Sequence, residues 1–296
     1  MHEQPDARAS WSGIIWRRFG ASPLALVGLV IVLGLFAIAT LGPAVIGAAG
    51  LRVDLTRDLA PPGFAGWLGR GENGVDVLTW LIHGARVSLW VSVCATVVSL
   101  VIGTAYGLVA GFVGGKLDAL CMKVVDVLLA FPGLLLAMYI AAVLQPSIVN
   151  VVLALCSTGW VGYARLARAQ TLKVKQLDYV RAARAVGVPR ARMLWRCILP
   201  NIVDPLIVQA SFGFSSAILA EAALSFLGLG VAPGTPSWGS LLQQGVTHLF
   251  TAPHIALCAG TCIAAAVLGF NFVGDGLRDA VDPRGGDIAQ GHLLRF

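Results

Sequence analysis

Four stretches of the chain carry no aspartate, glutamate, lysine or arginine: those between Arg18 and Arg52, Arg86 and Lys116, Asp126 and Arg165, and Glu221 and Asp275. Crossing the hydrocarbon core of a bilayer takes roughly 20 apolar helical residues, and only a helix or a closed barrel can satisfy its own backbone there. The first two stretches hold one crossing each and the other two have room for two each, so the direct count is six. The apolar runs are continuous and lack the residue-by-residue alternation of a membrane β-barrel. Hydrophobic residues make up 57% of the chain, charged residues 12%, and the mean hydropathy is +0.81. A soluble domain has about 25% charged residues. The expectation is an all-α membrane protein with six transmembrane helices.

The expected spans are roughly 22–46, 87–111, 119–143, 147–165, 205–229 and 253–275, separated at Gly114-Gly115, Gln145-Pro146-Ser147 and Pro233-Gly234-Thr235-Pro236. Pro132 is expected to kink the third. This divides the chain into a cytoplasmic tail at 1–21, a first transmembrane helix at 22–46, an extracytoplasmic segment at 47–86, a core at 87–275 and a cytoplasmic tail at 276–296. With the N-terminus inside, 17 of the 21 lysines and arginines fall on the cytoplasmic side, three of them (Arg8, Arg17, Arg18) in the first tail and three (Arg278, Arg284, Arg295) in the last. Cytoplasmic loops carry that excess, so both termini are placed in the cytoplasm. The apolar run after Arg18 is too long for a cleaved signal and reads as an anchor. The net charge of +6 is then a topology determinant, and nucleic-acid binding is not expected.

Several tempting residues read more simply. The six cysteines show no CxxC spacing, and Cys258 and Cys262 read as apolar packing. His83, His248 and His254 lack metal-ligand spacing. Gly213-Phe214-Ser215-Ser216 has no GxSG elbow and no facing histidine base, which argues against an intramembrane hydrolase. Gly103, Gly107, Gly111 and Gly115 form one helical stripe, a packing seam that invites another helix and, on this reading, a partner. Glu221 lies inside the fifth span, where an ionisable group is a functional candidate. A proton- or sodium-driven carrier would need several such groups, and this chain offers one deep in a span.

The stretch 164–203 is too long and too charged to be a mere connector. Asp178 to Val186 suits a short helix with an acidic start, Ala182 and Ala183 within it and Gly187 as its stop. A second short helix is expected from Val188-Pro189 to near Pro200. Arg181-Ala182-Ala183, three residues, Gly187, nine residues, then Cys197-Ile198-Leu199-Pro200 resembles the EAA loop of binding-protein-dependent ABC importer permeases, written EAA, three, G, nine, IxLP. Arg181 replaces the motif's Glu and Cys197 its first Ile. GARVSL at 84–89, DVLLAFPGLLLA at 126–137, GYARLARAQ at 162–170, AILAEAALSFLGLGV at 217–231, PGTPSWGSLL at 233–242 and FNFVGDGLRDAVDPR at 270–284 resemble the C-type permease of dipeptide, oligopeptide and nickel importers. Val75 stands where that family usually has Arg.

The resemblance implies a type I ABC importer permease fold in the bacterial inner membrane. It also implies a second homologous permease subunit forming a heterodimer, two cytoplasmic ABC ATPases that bind ATP and Mg, and an extracytoplasmic solute-binding protein. The ATPase-coupling residues would be Asp178, Tyr179, Arg181, Ala182, Ala183, Gly187, Arg192, Leu199 and Pro200, with Glu221 on the translocation path. The chain has no GxxxxGK[ST] phosphate loop, so it is expected to be a non-catalytic subunit with no cofactor of its own.

Overall fold

The structure, a computed structural model, describes residues 11–63 and 66–281. Arg8, Arg284, Arg295 and the outer parts of both expected tails lie outside the described residues. Among the described residues there is no β-strand, only isolated bridges at Gly63–Gly66 and Arg70–Asp76. The helices are α1 (Trp11–Gly20), α2 (Pro23–Ile46), α3 (Val77–Val113), α4 (Gly115–Leu129), α5 (Gly133–Val143), α6 (Ile148–Val174), α7 (Asp178–Ala185), α8 (Arg190–Met193), α9 (Leu199–Phe226), α10 (Trp238–Thr247) and α11 (Pro253–Val281). Among the described residues, five helical units are long and apolar enough to cross a membrane: α2, α3, α6, the continuous unit Arg190–Phe226 and α11. The bent pair α4–α5 makes a sixth if it is one span.

Local chemistry sets these bounds. Ser22 caps α2, its Oγ accepting from Ala25 N at 3.4 Å, with Pro23 in the first turn, where a missing N–H costs nothing. Asp76 opens α3 by accepting from Thr79 N at 2.9 Å and Thr79 Oγ1 at 2.6 Å, well before the bound of 87 drawn from Arg86. Charge limits the depth of a helix in lipid, not its length. The expected single helix at 119–143 is corrected to two helices meeting at 79°. Pro132 has no N–H for the ladder and forces Phe131 away from helical geometry, so the kink becomes a break.

The glycine stripe is a backbone contact inside this chain. A methyl group on Gly103 would lie 2.3 Å from Trp160 O, on Gly107 2.1 Å from Ala164 O, and on Gly111 3.0 Å from Arg168 O. The partner numbers rise together, so α3 and α6 run parallel with their axes as close as glycine permits. Gly115 is not part of the seam; it starts α4 with φ +62° and open space around it. The stripe therefore does not call for a second subunit. Beside it, Arg168 grips Asp118 with two bonds of 2.5 and 2.7 Å, and Arg165 meets Asp126 at 2.5 Å, tying α4 to α6.

Two apolar clusters mark the ends of the bundle. At the end that carries the 47–76 segment, Val75, Val77, Trp80, Leu89, Trp238, Leu241 and Ile255 pack together. Here α10, a helix not expected from the sequence, is wedged beside α3, α9 and α11, opened by a reciprocal Ser237–Ser240 capping box. Trp238 Nε1 donates to Leu81 O at 3.1 Å and Trp80 Nε1 to Ser237 O at 3.2 Å. Val75 is buried in this cluster. The histidines there are structural: His83 lies 3.0 Å from Gly47 O, His248 pairs with Glu72 at 2.9 Å, and His254 lies 3.4 Å from Arg70 O. At the other end, Phe112, Val174, Val180, Met193, Ile198 and Ile202 form a second cluster under α7. Between the ends, Val30, Leu33 and Leu41 of α2 and Leu135, Tyr139 and Val143 of α5 are exposed, an apolar surface suited to lipid.

Candidate functional site

The stretch 164–203 is mostly not loop. Residues 164–174 continue α6, and only 175–189 leave the bundle, as α7 with its flanking turns. α7 is held down by Val180, which is 1% exposed against Met193 and Ile198, while Asp178, Tyr179, Arg181, Ala182 and Arg184 face outward and Ala183 is half-buried. Asp178 and Arg181 approach to 4.0 Å on the exposed face, a contact worth little in water.

The end of α7 follows a defined capping pattern. Gly187 N donates to Arg184 O and Val188 N to Ala183 O, both at 3.1 Å, with Gly187 at φ +82°. These are the paired bonds of a Schellman motif, which requires a left-handed residue after the C-cap, and glycine takes that conformation without steric cost. Among the described residues, no atom beyond Gly187 and its two chain neighbours lies within 4 Å of a methyl group built there. The glycine is needed here for its backbone angle, and the space beside it is open.

The second expected helix does not end near Pro200. α8 runs through a widened turn, Leu194–Ile198, in which Leu199 N reaches back to Leu194 O, and continues directly into α9. In regular helix the ring of Pro200 would meet the Arg196 carbonyl, and the five-residue turn relieves that clash. The same turn presents Cys197 O to two donors, Tyr179 OH at 3.1 Å and Asn201 Nδ2 at 2.8 Å. Partial desolvation, with Cys197 nearby, raises the Tyr179 phenol above its ordinary value, so the neutral, donating form is favoured. α7 is thereby bolted to the foot of a spanning helix, through a carbonyl for which the Cys197 side chain is irrelevant. Arg192 is exposed on α8, Leu199 joins the cluster beneath α7 and supports it, and Pro200 lies exposed in the first turn of α9.

Glu221 is fully buried between α9 and the start of α10. Ser225 Oγ donates to its Oε1 at 2.8 Å, and the hydroxyls of Ser88 and Ser237 are its further polar neighbours. Its carboxyl is thus enclosed by three serine hydroxyls within the chain.

On another side of α9 lies a cleft of about 310 Å³ between α3, α5, α6 and α9. Its polar lining is Thr96, Ser99, Thr158, Tyr163, Gln209 and Ser216, with no charged residue among the lining side chains. From the sequence only Ser216 was weighed, as part of Gly213-Phe214-Ser215-Ser216, and the other five were passed over. Hydroxyls at 96 and 99 inside a charge-free span were a signal, but nothing in sequence spacing joins them to Tyr163 or Gln209.

Comparison with known proteins gives the architecture its place. Residues 103–285, more than half the chain, match the model of the binding-protein-dependent transport system inner membrane component, and residues 10–62 that of the N-terminal TM domain of oligopeptide transport permease C. The chain belongs to this family of transport permeases. The dipeptide transport system permease protein DppC of Alkalihalophilus pseudofirmus is 38% identical over 91% of this chain and 88% of its own length. The di/tripeptide transport system permease protein DppC of Pseudomonas aeruginosa is 45% identical over 73% of this chain and 72% of its own length. The glutathione transport system permease protein GsiD of Pectobacterium atrosepticum is 38% identical over 94% and 93%. The permease is thus a multi-pass inner-membrane subunit of an ABC importer, non-catalytic by family, with ATP hydrolysis residing on separate subunits. The carrier and hydrolase alternatives lapse with that assignment.

Proposed function

We propose that this permease imports dipeptides or oligopeptides delivered by an extracytoplasmic solute-binding protein. It pairs with a second homologous permease as a heterodimer and is driven by two cytoplasmic ATPases that hold the ATP and Mg. In this reading the chain crosses the membrane six times, α4–α5 forming the bent third crossing, with both termini and α7 in the cytoplasm. The observation that carries it is α7 itself: a short helix outside the bundle with Ala182 exposed, stopped by Gly187 and bonded through Tyr179 to α9. A small-residue face between arginines fits a groove with acidic residues on an ATPase.

Its mechanism follows from rigidity. ATP draws the ATPases together and carries α7 with them. Because α7 is fixed to α9 by the Cys197 carbonyl and to α3 and α6 by the cluster beneath it, these helices rotate and the path opens outward. Hydrolysis restores the inward-facing state, the energy entering as differential contacts of the ATPases with the two states. The test is uptake of labelled peptide by proteoliposomes holding the permease pair and ATPases. Uptake should need both ATP and the binding protein, and uptake by this chain alone would refute the reading. Orientation is tested separately in intact cells with an impermeant thiol reagent on a cysteine-free background. Pro233→Cys should label and Arg181→Cys should not.

A further inference from the structure

A second cavity, of about 480 Å³, lies where the turn after α7 faces the ends of α3 and α6. Lys175, Arg184 and Arg190 supply its basic side chains, Phe112 and Val113 bring the apolar end of α3 into it, and Gly187 leaves part of its wall without a side chain. Among the described residues that line it, none is acidic.

The cations are held there without a counter-ion. Lys175 Nζ donates to Phe112 O at 2.7 Å and to Gly111 O at 3.3 Å, which fixes it on the end of α3 with one N–H still to give. Among the described residues, the guanidinium groups of Arg184 and Arg190 have no hydrogen-bond or ion-pair partner. The acids of the adjoining helices are committed elsewhere, Asp118 to Arg168 and Asp178 to Arg181. Three cations around one concavity repel one another, and an anion seated between them reverses the sign of the interaction. Arginine forks match the paired oxygens of a phosphodiester.

α3 adds the other half of the ligand. Val98, Ile102, Val109 and Val113 are between 40% and 55% exposed. Steps of four, seven and four residues keep them on one helix face, an apolar track about 22 Å long that ends in the cavity at Val113. A carboxylate of a protein partner would use the cations and leave the track bare, whereas a phospholipid uses both. A headgroup with its own ammonium would bring a fourth cation, so the lining favours an anionic lipid. We propose that this cavity binds an anionic phospholipid, its phosphodiester on Lys175, Arg184 and Arg190 and one acyl chain along Val98 to Val113, so that the lipid ties the α7 turn to α3 and α6. This rests on the reading that puts α7 on the cytoplasmic side, at the level of the inner-leaflet headgroups. Arg181 and Arg192 do not line the cavity and remain for the ATPase.

The experiment reconstitutes the complete complex in proteoliposomes of phosphatidylcholine, with or without phosphatidylglycerol. Lipid kept by the extracted complex is read by native mass spectrometry, and coupling as trialanine uptake per ATP hydrolysed. Wild type should retain phosphatidylglycerol and couple better in its presence. Arg184→Gln and Arg190→Gln should each lower that retention about fivefold, the worth of about 1 kcal/mol per basic residue at an anionic surface. Together they should bring coupling down to the phosphatidylcholine level and change nothing in phosphatidylcholine alone. Arg196→Gln, which removes an exposed charge outside the cavity, should behave as wild type. A benzophenone on Val109→Cys, in a cysteine-free background, should cross-link to phospholipid. Retention in the double variant equal to wild type overturns the proposal, as does a Val109→Cys cross-link to the second permease. Loss of coupling or of ATPase co-purification by the double variant in phosphatidylcholine alone also overturns it, since the arginines would then serve the ATPase. So does full coupling restored in phosphatidylcholine by inorganic phosphate, which has no chain for the track. A wild-type complex that retains phosphatidylglycerol but moves no trialanine in either membrane overturns the importer reading and leaves the lipid site standing.

Discussion

The two ends of the bundle are finished differently. At the α10 end, Trp80 and Trp238 are buried, their indole N–H groups are paired across the junction, and a methyl group on Gly239 would lie 2.5 Å from Ala222 O. At the α7 end, Leu177, Tyr179, Trp195 and Val186 stay exposed, Val186 at 85%, around a helix held by one buried valine and one hydroxyl. The first end has a buried core built by its own chain, with Trp67 and Phe250 exposed beside it; at the second the helix itself is left largely uncovered. A large side chain removed from the α10 end should therefore cost stability, whereas the same chemical insult at the α7 end should cost coupling.

The largest expected effect tests the closed end. Trp238→Ala removes a fully buried indole, and Trp→Ala in a core costs about 3–5 kcal/mol. Melting of the detergent-solubilised complex should fall sharply, with poor insertion yield; an unchanged melting point would erase the contrast. Next, Gly187→Val forces a β-branched residue to φ +82°, a strain of about 1–3 kcal/mol confined to the α7 cap. The complex should insert and receive its binding protein, yet co-purify poorly with the ATPases or hydrolyse ATP without moving solute. Ala183→Asp should do the same by placing a charge on the contact face. Wild-type ATPase co-purification and transport in both would sink the coupling role.

Smaller still, Tyr179→Phe removes one of two donors to the Cys197 carbonyl, and Asn201 keeps that acceptor from being orphaned. The expected loss is about 0.5–1.5 kcal/mol of local stability, seen as a severalfold drop in uptake per ATP with little change in melting. The raised phenol fixes the sign of its pH dependence. The neutral form is the one favoured in the fold, so its contribution is complete below the ordinary tyrosine value of about 10 and is lost only as pH rises through the higher folded value. Wild-type coupling should therefore not decline through Tyr179 between pH 7 and 9. The smallest effect is expected from Gln243→Ala in α10, which should leave both stability and coupling near wild type.

The charge-free stretches disclosed the helical bundle because hydrocarbon tolerates few alternatives, and the α7 element was legible because its cap residues act locally. Gly187 needs only its neighbours Arg184 and Ala183 to fulfil its role. What could not be read depends on distant parts of the chain. Glu221 was visible as an ionisable residue inside a span, but not that Ser88 and Ser237, far away in sequence, enclose it. α10 was hidden because what holds it is distant in sequence: Gly239 and Gly245 are the places where its backbone meets α9 and α11. The Pro132 break was visible as a proline but not as an angle, since the angle is set by the helices on which α4 and α5 lie.

The contact between α3 and α6 limits how this protein can move. Two helices meshed through side chains can slip, exchanging one rotamer packing for another. Here the Cα atoms of Gly103 and Gly107 press on the carbonyls of Trp160 and Ala164, with no rotamer to give way. Rolling α3 about its axis by one residue, about 100°, would bring Thr104 or Leu108 against those carbonyls and jam. The pair behaves as a single beam. Motion imposed at α7 must be delivered undiminished along it, and the bending must be taken up at joints such as the 79° corner before Pro132 and the turn at 227–237.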